Sequence, residues 1–399
     1  MINIEFRNGR KFEPEGVYVH EPIATYANRR DRILGVLEAQ ASNPPGMDKY
    51  VPLAYRAAAQ NDKFIELLLS CQDQRRELER PLSYTHAAQL GAMVAMNRVM
   101  LERGNFNYPY DTALKLDTKE GWAELYQRNI EEYGEQMEGW IIDENIHRTY
   151  SSRGVMLPLI LEVLCKNDAI TPVNILDVGC SANIVLDRLL KRQPYVPIAD
   201  YTHISGQAGI IIGREYSHLP IGRAVGMDTS LIDSSKDSLM WLAACQHFDQ
   251  MTTENVDRIL NSGDVINGMG LQAEFVQDDI LGPYNIADSF DLVAMFSMLY
   301  QFPPELAQIA INNALKMCTR KGFVVLQDYC SVEEDKSGRH IKMQDVRSPF
   351  TYSTIVFGPG TGDKVYQLAT FQDSTCQHIA NGKHLEEFIH DMGMMPNMV

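Results

Sequence analysis

The sequence predicts an α/β fold with a mostly parallel sheet, preceded by an all-helical N-terminal region. Three observations carry that prediction. The first 150 residues place apolar side chains at helical spacing, and from about residue 171 short aliphatic runs of strand length alternate with helix-like stretches. Near the end, 351–357 and 364–371 alternate in polarity on either side of the Gly-rich turn GPGTGD, the pattern of an antiparallel hairpin.

In the helical region, 31–41 and 48–69 carry Ile33, Leu34, Leu37, Val51, Leu53, Phe64, Leu67 and Leu68 on helical faces, with Asn61-Asp62 as break and cap. A helix from Ser83 to Arg103 stops at Gly104, a residue suited to the left-handed position after a helix end. Asp117 with Glu120 reads as a capping box opening a helix that bears Trp122, Leu125, Tyr126, Ile130 and Tyr133. That aromatic stripe fits a core face, or the wall of a pocket. A further helix runs from Tyr150 to Cys165, so the division expected is 1–150 for a helical domain and 151–399 for the α/β domain.

Strands are expected at 173–178 (VNILDV), 223–228 (RAVGMD), 273–277 (AEFVQ), 290–295 (FDLVAM) and 322–328 (GFVVLQD). The first runs into DVGCSAN and an amphipathic helix. In an open α/β sheet the ligand crevice lies at the carboxyl ends of the strands, where Gly179 lets a ligand approach the backbone. Asp228 ends the second strand, and a carboxylate there can accept hydrogen bonds from both hydroxyls of a ribose, about 1.5 to 3 kcal/mol each. Asp278-Asp279 ends the third, where a carboxylate can accept from an adenine amino group with Ile280 against the ring. The fourth ends in Phe296-Ser297-Met298. Each acid also has a local reading: Asp177 and Asp228 as helix caps, Asp278 or Asp279 as a turn residue.

With 45% hydrophobic and 22% charged residues the chain belongs with ordinary globular proteins. A net charge of -16 disfavours a nucleic-acid partner. No apolar stretch reaches signal-peptide or membrane-spanning length, and the seven cysteines include no CxxC pair, so a cytoplasmic protein with reduced thiols is expected. No HExxH is present, and His384 and His390 are off same-face helical spacing, so no metal site is expected.

Taken together, ILDVGCSAN, GMD, FVQDDIL and FDLVAMFSML resemble the class I S-adenosylmethionine-dependent methyltransferase family over about residues 171–330. The resemblance implies a Rossmann-like, seven-stranded sheet ending in a reversed hairpin. It implies S-adenosyl-L-methionine as cofactor, with Asp177, Gly179, Cys180, Ser181 and Asn183 at the methionine moiety and Asp228 on the ribose. Asp278, Asp279 and Ile280 would lie at the adenine, with Phe296 and Ser297 beside the reacting centre. The family's second and third glycines of the first motif fall here on Ser181 and Asn183. The layout is also similar to that of an uncharacterised bacterial family with a helical N-terminal region. A dinucleotide fold is the rival, but of G-x-G-x-x-G only the first glycine is present.

The resemblance leads to methyl transfer onto a small-molecule acceptor, where positioning supplies much of the rate. Tyr150, His203 and Tyr300 are the candidates for a catalytic base near the crevice, and Arg148 and Arg153 for pairing with a carboxylate of the cofactor or for surface roles. His203 lies in an insertion suited to a lid. The helical region would choose the acceptor or serve a homodimer. Two alternatives stand beside this reading: other chemistry on the same fold, and a non-catalytic binding protein.

Overall fold

The computed structural model describes residues 4–6, 26–42, 48–78, 82–144, 146, 153–166, 172–181, 183–190, 200–203, 221–229, 235–261, 273–282, 289–336, 338–343, 352–362, 364–371 and 378–393. Two compact units divide the chain. One comprises Met1–Phe12, Tyr150–Ile232 and Asp264–Val399, and the other Glu13–Thr149 with Asp233–Gly263.

The helical unit holds α1 (Tyr26–Ser42), α2 (Val51–Ala59), α3 (Asp62–Glu77), α4 (Tyr84–Gln89), α5 (Met96–Glu102) and α6 (Lys119–Asp143). Asn61 caps α3 as the sequence predicts, its side chain accepting the Phe64 N–H. Between α4 and α5 the Leu90–Ala95 turn is π-helical and wholly buried, and the run ends at Gly104 with φ +70°. The cap of α6 is Thr118 rather than Asp117, its hydroxyl accepting the Gly121 N–H. Trp122 and Tyr126 are buried among other aromatic rings, so the stripe is core.

The same unit takes in α9 (Lys236–Ala244) and α10 (Thr253–Leu260), which the sequence reading placed in the α/β domain. The cause is a set of buried contacts far apart in sequence. The Asn97 carboxamide donates to the Ala244 and Gln246 carbonyls at 2.7 and 2.8 Å while accepting from the Tyr108 hydroxyl. Arg98 pairs with Asp237, and the Phe248 ring sits 4.7 Å from that of Trp122.

The other unit is built on β2 (Val173–Val178), β3 (Asp200–His203), β4 (Ile221–Asp228), β5 (Glu274–Gln277), β6 (Phe290–Phe296), β7 (Cys318–Asp335), β9 (Tyr352–Phe357), β10 (Tyr366–Phe371) and β11 (His378–Asn381). Their order is β3-β11-β10-β9-β7-β6-β2-β4-β5, nine strands in line among the described residues, not seven. From β7 to β5 the pairings are parallel. The predicted hairpin is β9 with β10, antiparallel. The two strands beyond it, β11 and β3, are four residues each, too short to show a period in sequence. β1 (Ile4–Phe6) pairs with β8 (Gly338–Met343), itself paired with the end of β7. The N-terminal region is therefore not all helical, because this short extended segment finds an open strand edge.

β6 is buried along its whole length, as a central parallel strand must be. Ile175, Ala294, Phe296 and Val325 face α7 (Leu157–Lys166) and α8 (Ile184–Leu190). Leu176, Val178, Val293, Met295 and Leu326 face α11 (Pro304–Met317). The chain builds outward from β2 to β4 and β5, then returns to the other side of β2 with β6 and β7. Strand order thus reverses between β2 and β6, which is where ligands bind in open sheets of this kind.

Candidate functional site

Beyond β2 the chain makes a turn with three left-handed residues, Gly179 (φ +72°), Ser181 (φ +53°) and Asn183 (φ +58°). For Ser and Asn this conformation is uncommon, and the surroundings fix it. The Gly179 and Cys180 N–H groups both donate to the Met227 carbonyl at 2.8 and 3.2 Å, and Ser181 N–H donates to Asp228 Oδ2 at 2.8 Å. The turn is thereby folded over the end of β4. Gly226 makes room for it, since a Cβ there would overlap Asn183 Oδ1 and lie 2.6 Å from Cys180 Sγ. Asn183 then precedes α8 and its carbonyl accepts the Asp187 N–H at 2.8 Å.

Asp177 pairs in register with Gly226 on one side and Ala294 on the other, on the face covered by α7 and α8. It is buried within β2. Burial, then the neighbouring Asp228 carboxylate, push its carboxyl up to about 8, against the pull of Arg153. Burial and the same two carboxylates hold the Cys180 thiol far above its ordinary range. Asp177 Oδ1, Ser181 Oγ and Asn183 Oδ1 are buried without a hydrogen-bond partner. Such groups are costly unless something else satisfies them.

Next along the rim, Asp278 N–H donates to the Asp228 carbonyl at 3.0 Å, so the β4 and β5 ends are adjacent. Asp279 accepts the Leu281 N–H at 2.9 Å and is exposed, which makes it a turn residue with a carboxylate still open to solvent. Ile280 is buried, its carbonyl held by Asn313. Asp177, Gly179, Cys180, Ser181, Asn183, Asp228, Asp278 and Asp279 thus come together along three neighbouring strand ends.

On the other side of β2, Met298 follows β6 and approaches the Gly179 turn, its Sδ 3.6 Å from where a Cβ on Gly179 would lie. Ser297 is left-handed (φ +54°), its N–H donating to the Gln327 carbonyl at 2.8 Å and its hydroxyl paired with that of Tyr352. Phe296 is buried on the α7 and α8 face, one element of the core rather than of the rim.

Of the two catalytic candidates among the described residues, Tyr300 and His203, Tyr300 stands at this rim. His203 ends β3 at the far edge of the sheet, with β6, β7, β9, β10 and β11 between it and β2. At about 4.8 Å per strand it is roughly 29 Å away, too far to take a proton at the crevice. β3 stands at that edge because it pairs with β11. Tyr150 lies outside the described residues.

Asp328, which the sequence reading left out of the site, joins it together with Arg153, which that reading named. Asp328, one residue past the part of β7 that pairs with β6, is wholly buried; its Oδ2 accepts N–H groups of Leu299 and Tyr300 at 2.8 and 3.3 Å, and its Oδ1 that of Tyr329 at 2.7 Å. Burial raises it to about 6, against those N–H groups and Arg153. Arg153 acts on both Asp177 and Asp328. The neighbouring Gly154 N–H donates to Gln327 Oε1 at 3.3 Å. The signal for Asp328 was present in sequence, an acid at the end of the fifth strand like those at the first three.

No family model matches the chain, and no curated protein does. Among solved structures it is similar to the N-methyltransferase NodS from Bradyrhizobium japonicum WM9 in complex with S-adenosyl-L-homocysteine, at 16% identity over 42% of this chain and 59% of that one, TM-score 0.22. It is similar also to the plantazolicin methyltransferase BpumL with the same ligand, at 13% identity over 65% and 62%, TM-score 0.26. A third is magnesium protoporphyrin IX methyltransferase from Synechocystis PCC 6803 with S-adenosylmethionine bound, at 11% over 55% and 79%, TM-score 0.25. The chain spans about three fifths of the length of the first two. TM-scores of this size leave every functional residue to be argued from this chain alone.

The rim is rich in oxygen acceptors and poor in donors. A ligand that fits it brings donors of its own.

Proposed function

We propose that the chain is an S-adenosyl-L-methionine-dependent methyltransferase acting on a small-molecule acceptor. The observation that supports this best is the alignment of Asp177, Asp228 and Asp279 on three consecutive parallel strand ends beside the switch point. Unsatisfied Asp177, Ser181 and Asn183 oxygens lie in the intervening turn. The cofactor supplies an electrophilic methyl group on a sulfonium. The protein's share is to hold donor and acceptor in line and to keep negative charge close to the cation. Tyr300, next to Met298, is the candidate for contact with the acceptor.

A non-catalytic binding protein is the second reading, favoured by one observation: the Asn183 carboxamide fills the space above Gly226. Calorimetric titration with S-adenosylhomocysteine decides whether the adenosyl site exists. We expect binding, weakened tenfold or more, about 1.4 kcal/mol, by Asp228→Ala. No heat in either protein removes the proposal. Binding without methylated product in the presence of S-adenosylmethionine and candidate acceptors leaves the second reading.

The net charge of -16 supports a small molecule over nucleic acid as partner. None of the described helices is long and apolar enough to cross a membrane. A cytoplasmic location accords with the cysteine pattern.

A further inference from the structure

Asp328 places a buried carboxylate behind two tyrosines. Its oxygens take the backbone N–H of Tyr300 on one side and of Tyr329 on the other, so a single side chain fixes the backbone of both. The two rings meet edge to face with centroids 5.2 Å apart. Tyr329 in turn meets Tyr352 at 5.1 Å, and Tyr352 meets Phe371 at 5.8 Å. The ladder is graded: Phe371 and Tyr352 are buried, whereas Tyr329 and Tyr300 are half-buried. It ends at the carboxyl end of β6, where its pairing with β7 stops, next to Met298 and hence to the Gly179 turn.

Asp328 offsets the cost of its burial by accepting the N–H groups of Leu299, Tyr300 and Tyr329, an acceptor that an apolar residue at 328 would not supply. What the carboxylate adds is a fixed pair of ring faces at the rim with a negative charge behind them. Aromatic faces attract cations, and a nearby buried anion strengthens the attraction because little solvent screens it. Arg153 offsets part of that charge. Asp228 lies toward the donor side, and the chain as a whole is acidic, which steers cations inward.

We infer that the Tyr300–Tyr329 corner is the acceptor subsite and that it takes an organic amine, bound by its cationic nitrogen against the tyrosine faces. This inference rests on the proposed adenosyl site for its neighbour but not for its own binding. Tyr300 and Tyr329 are then specificity-determining residues, and Asp328 is a positioning residue that acts through them.

Phenethylamine, with 2-phenylethanol and phenylacetate as neutral and anionic isosteres, is the probe set for the full chain, by ligand-observed NMR titration with and without S-adenosylhomocysteine. The amine is expected to bind at least tenfold more tightly than either isostere. Tyr329→Leu is expected to abolish that preference while leaving S-adenosylhomocysteine affinity within twofold. Tyr329→Phe, which keeps the ring, is expected to retain it, and separates loss of the face from loss of fold. Equal binding of the three probes, or an unchanged preference in a folded Tyr329→Leu protein, overturns the inference. A protein that binds the amine but no S-adenosylhomocysteine overturns the adenosyl site and leaves this subsite standing.

Discussion

The carboxylate of Asp228, at the end of β4, accepts the backbone N–H of Ser181, in the turn beyond β2, at 2.8 Å. One acid therefore holds the turn in its left-handed shape and stands at the rim for a ligand. The two roles separate by substitution. Asp228→Asn keeps an oxygen for the Ser181 N–H and is expected to lose under about 1 kcal/mol of stability, whereas Asp228→Ala leaves that N–H without its acceptor and is expected to lose about 1 to 3 kcal/mol. Urea denaturation of both variants, alongside the calorimetric titration, checks this.

Stability should depend on pH through Asp177. Its carboxyl rises from the ordinary carboxylate value to about 8 on folding, so the folded chain binds the extra proton. The stability linked to that proton is full below about pH 4 and is lost as the pH climbs to about 8, at up to about 1.4 kcal/mol per pH unit. Asp328 contributes in the same direction only up to about 6. Between pH 6 and 8 Asp177 lowers stability as the pH rises while His384, whose burial lowers its imidazole, acts in the opposite sense, and Asp177→Asn should shift the slope upward in denaturant unfolding at pH 6, 7 and 8.

Gly226→Ala should destabilise by about 1 to 3 kcal/mol, because the new methyl overlaps the Asn183 carboxamide. Asn183→Gly removes that carboxamide and suits the residue's φ of +58°. The double variant should recover at least half of the loss. Simple additivity of the two changes in thermal melts counts against the contact.

In the helical unit, Asn97→Ala should cost about 2 to 3 kcal/mol, since the Ala244 and Gln246 carbonyls and the Tyr108 hydroxyl lose a buried partner. Amide exchange should speed up in 235–261 as well as around residue 97. Unchanged protection in 235–261 would mean that segment holds its place without Asn97.

Much of the site was legible because it lies on consecutive strand ends. VNILDV, RAVGMD and AEFVQ each announce a strand, the third a half-exposed edge strand, and the acid at or just past the end of each is fixed at the rim by the strand's own register. Ser181 and Asn183 were visible as departures from glycine, but not the strand glycine that accommodates them. Gly226 lies 43 residues beyond Asn183 in sequence and meets it only because β4 pairs with β2. His203 erred for the same reason: its position in the chain suggested the crevice, and the pairing of β3 with β11 carried it to the opposite edge.

By itself the sequence determined the parallel strands, the turn after the first of them, the β9–β10 hairpin and the caps at Asn61 and Gly104, because hydrophobic period and turn chemistry are local. Tertiary structure alone decided that 233–263 packs with the helices, that β3 and β11 extend the sheet, and that Asp328 gathers Tyr300 and Tyr329. Those outcomes depend on which distant groups satisfy a buried carboxamide, a bare strand edge and a buried carboxylate, and no local pattern in the chain records such a partner.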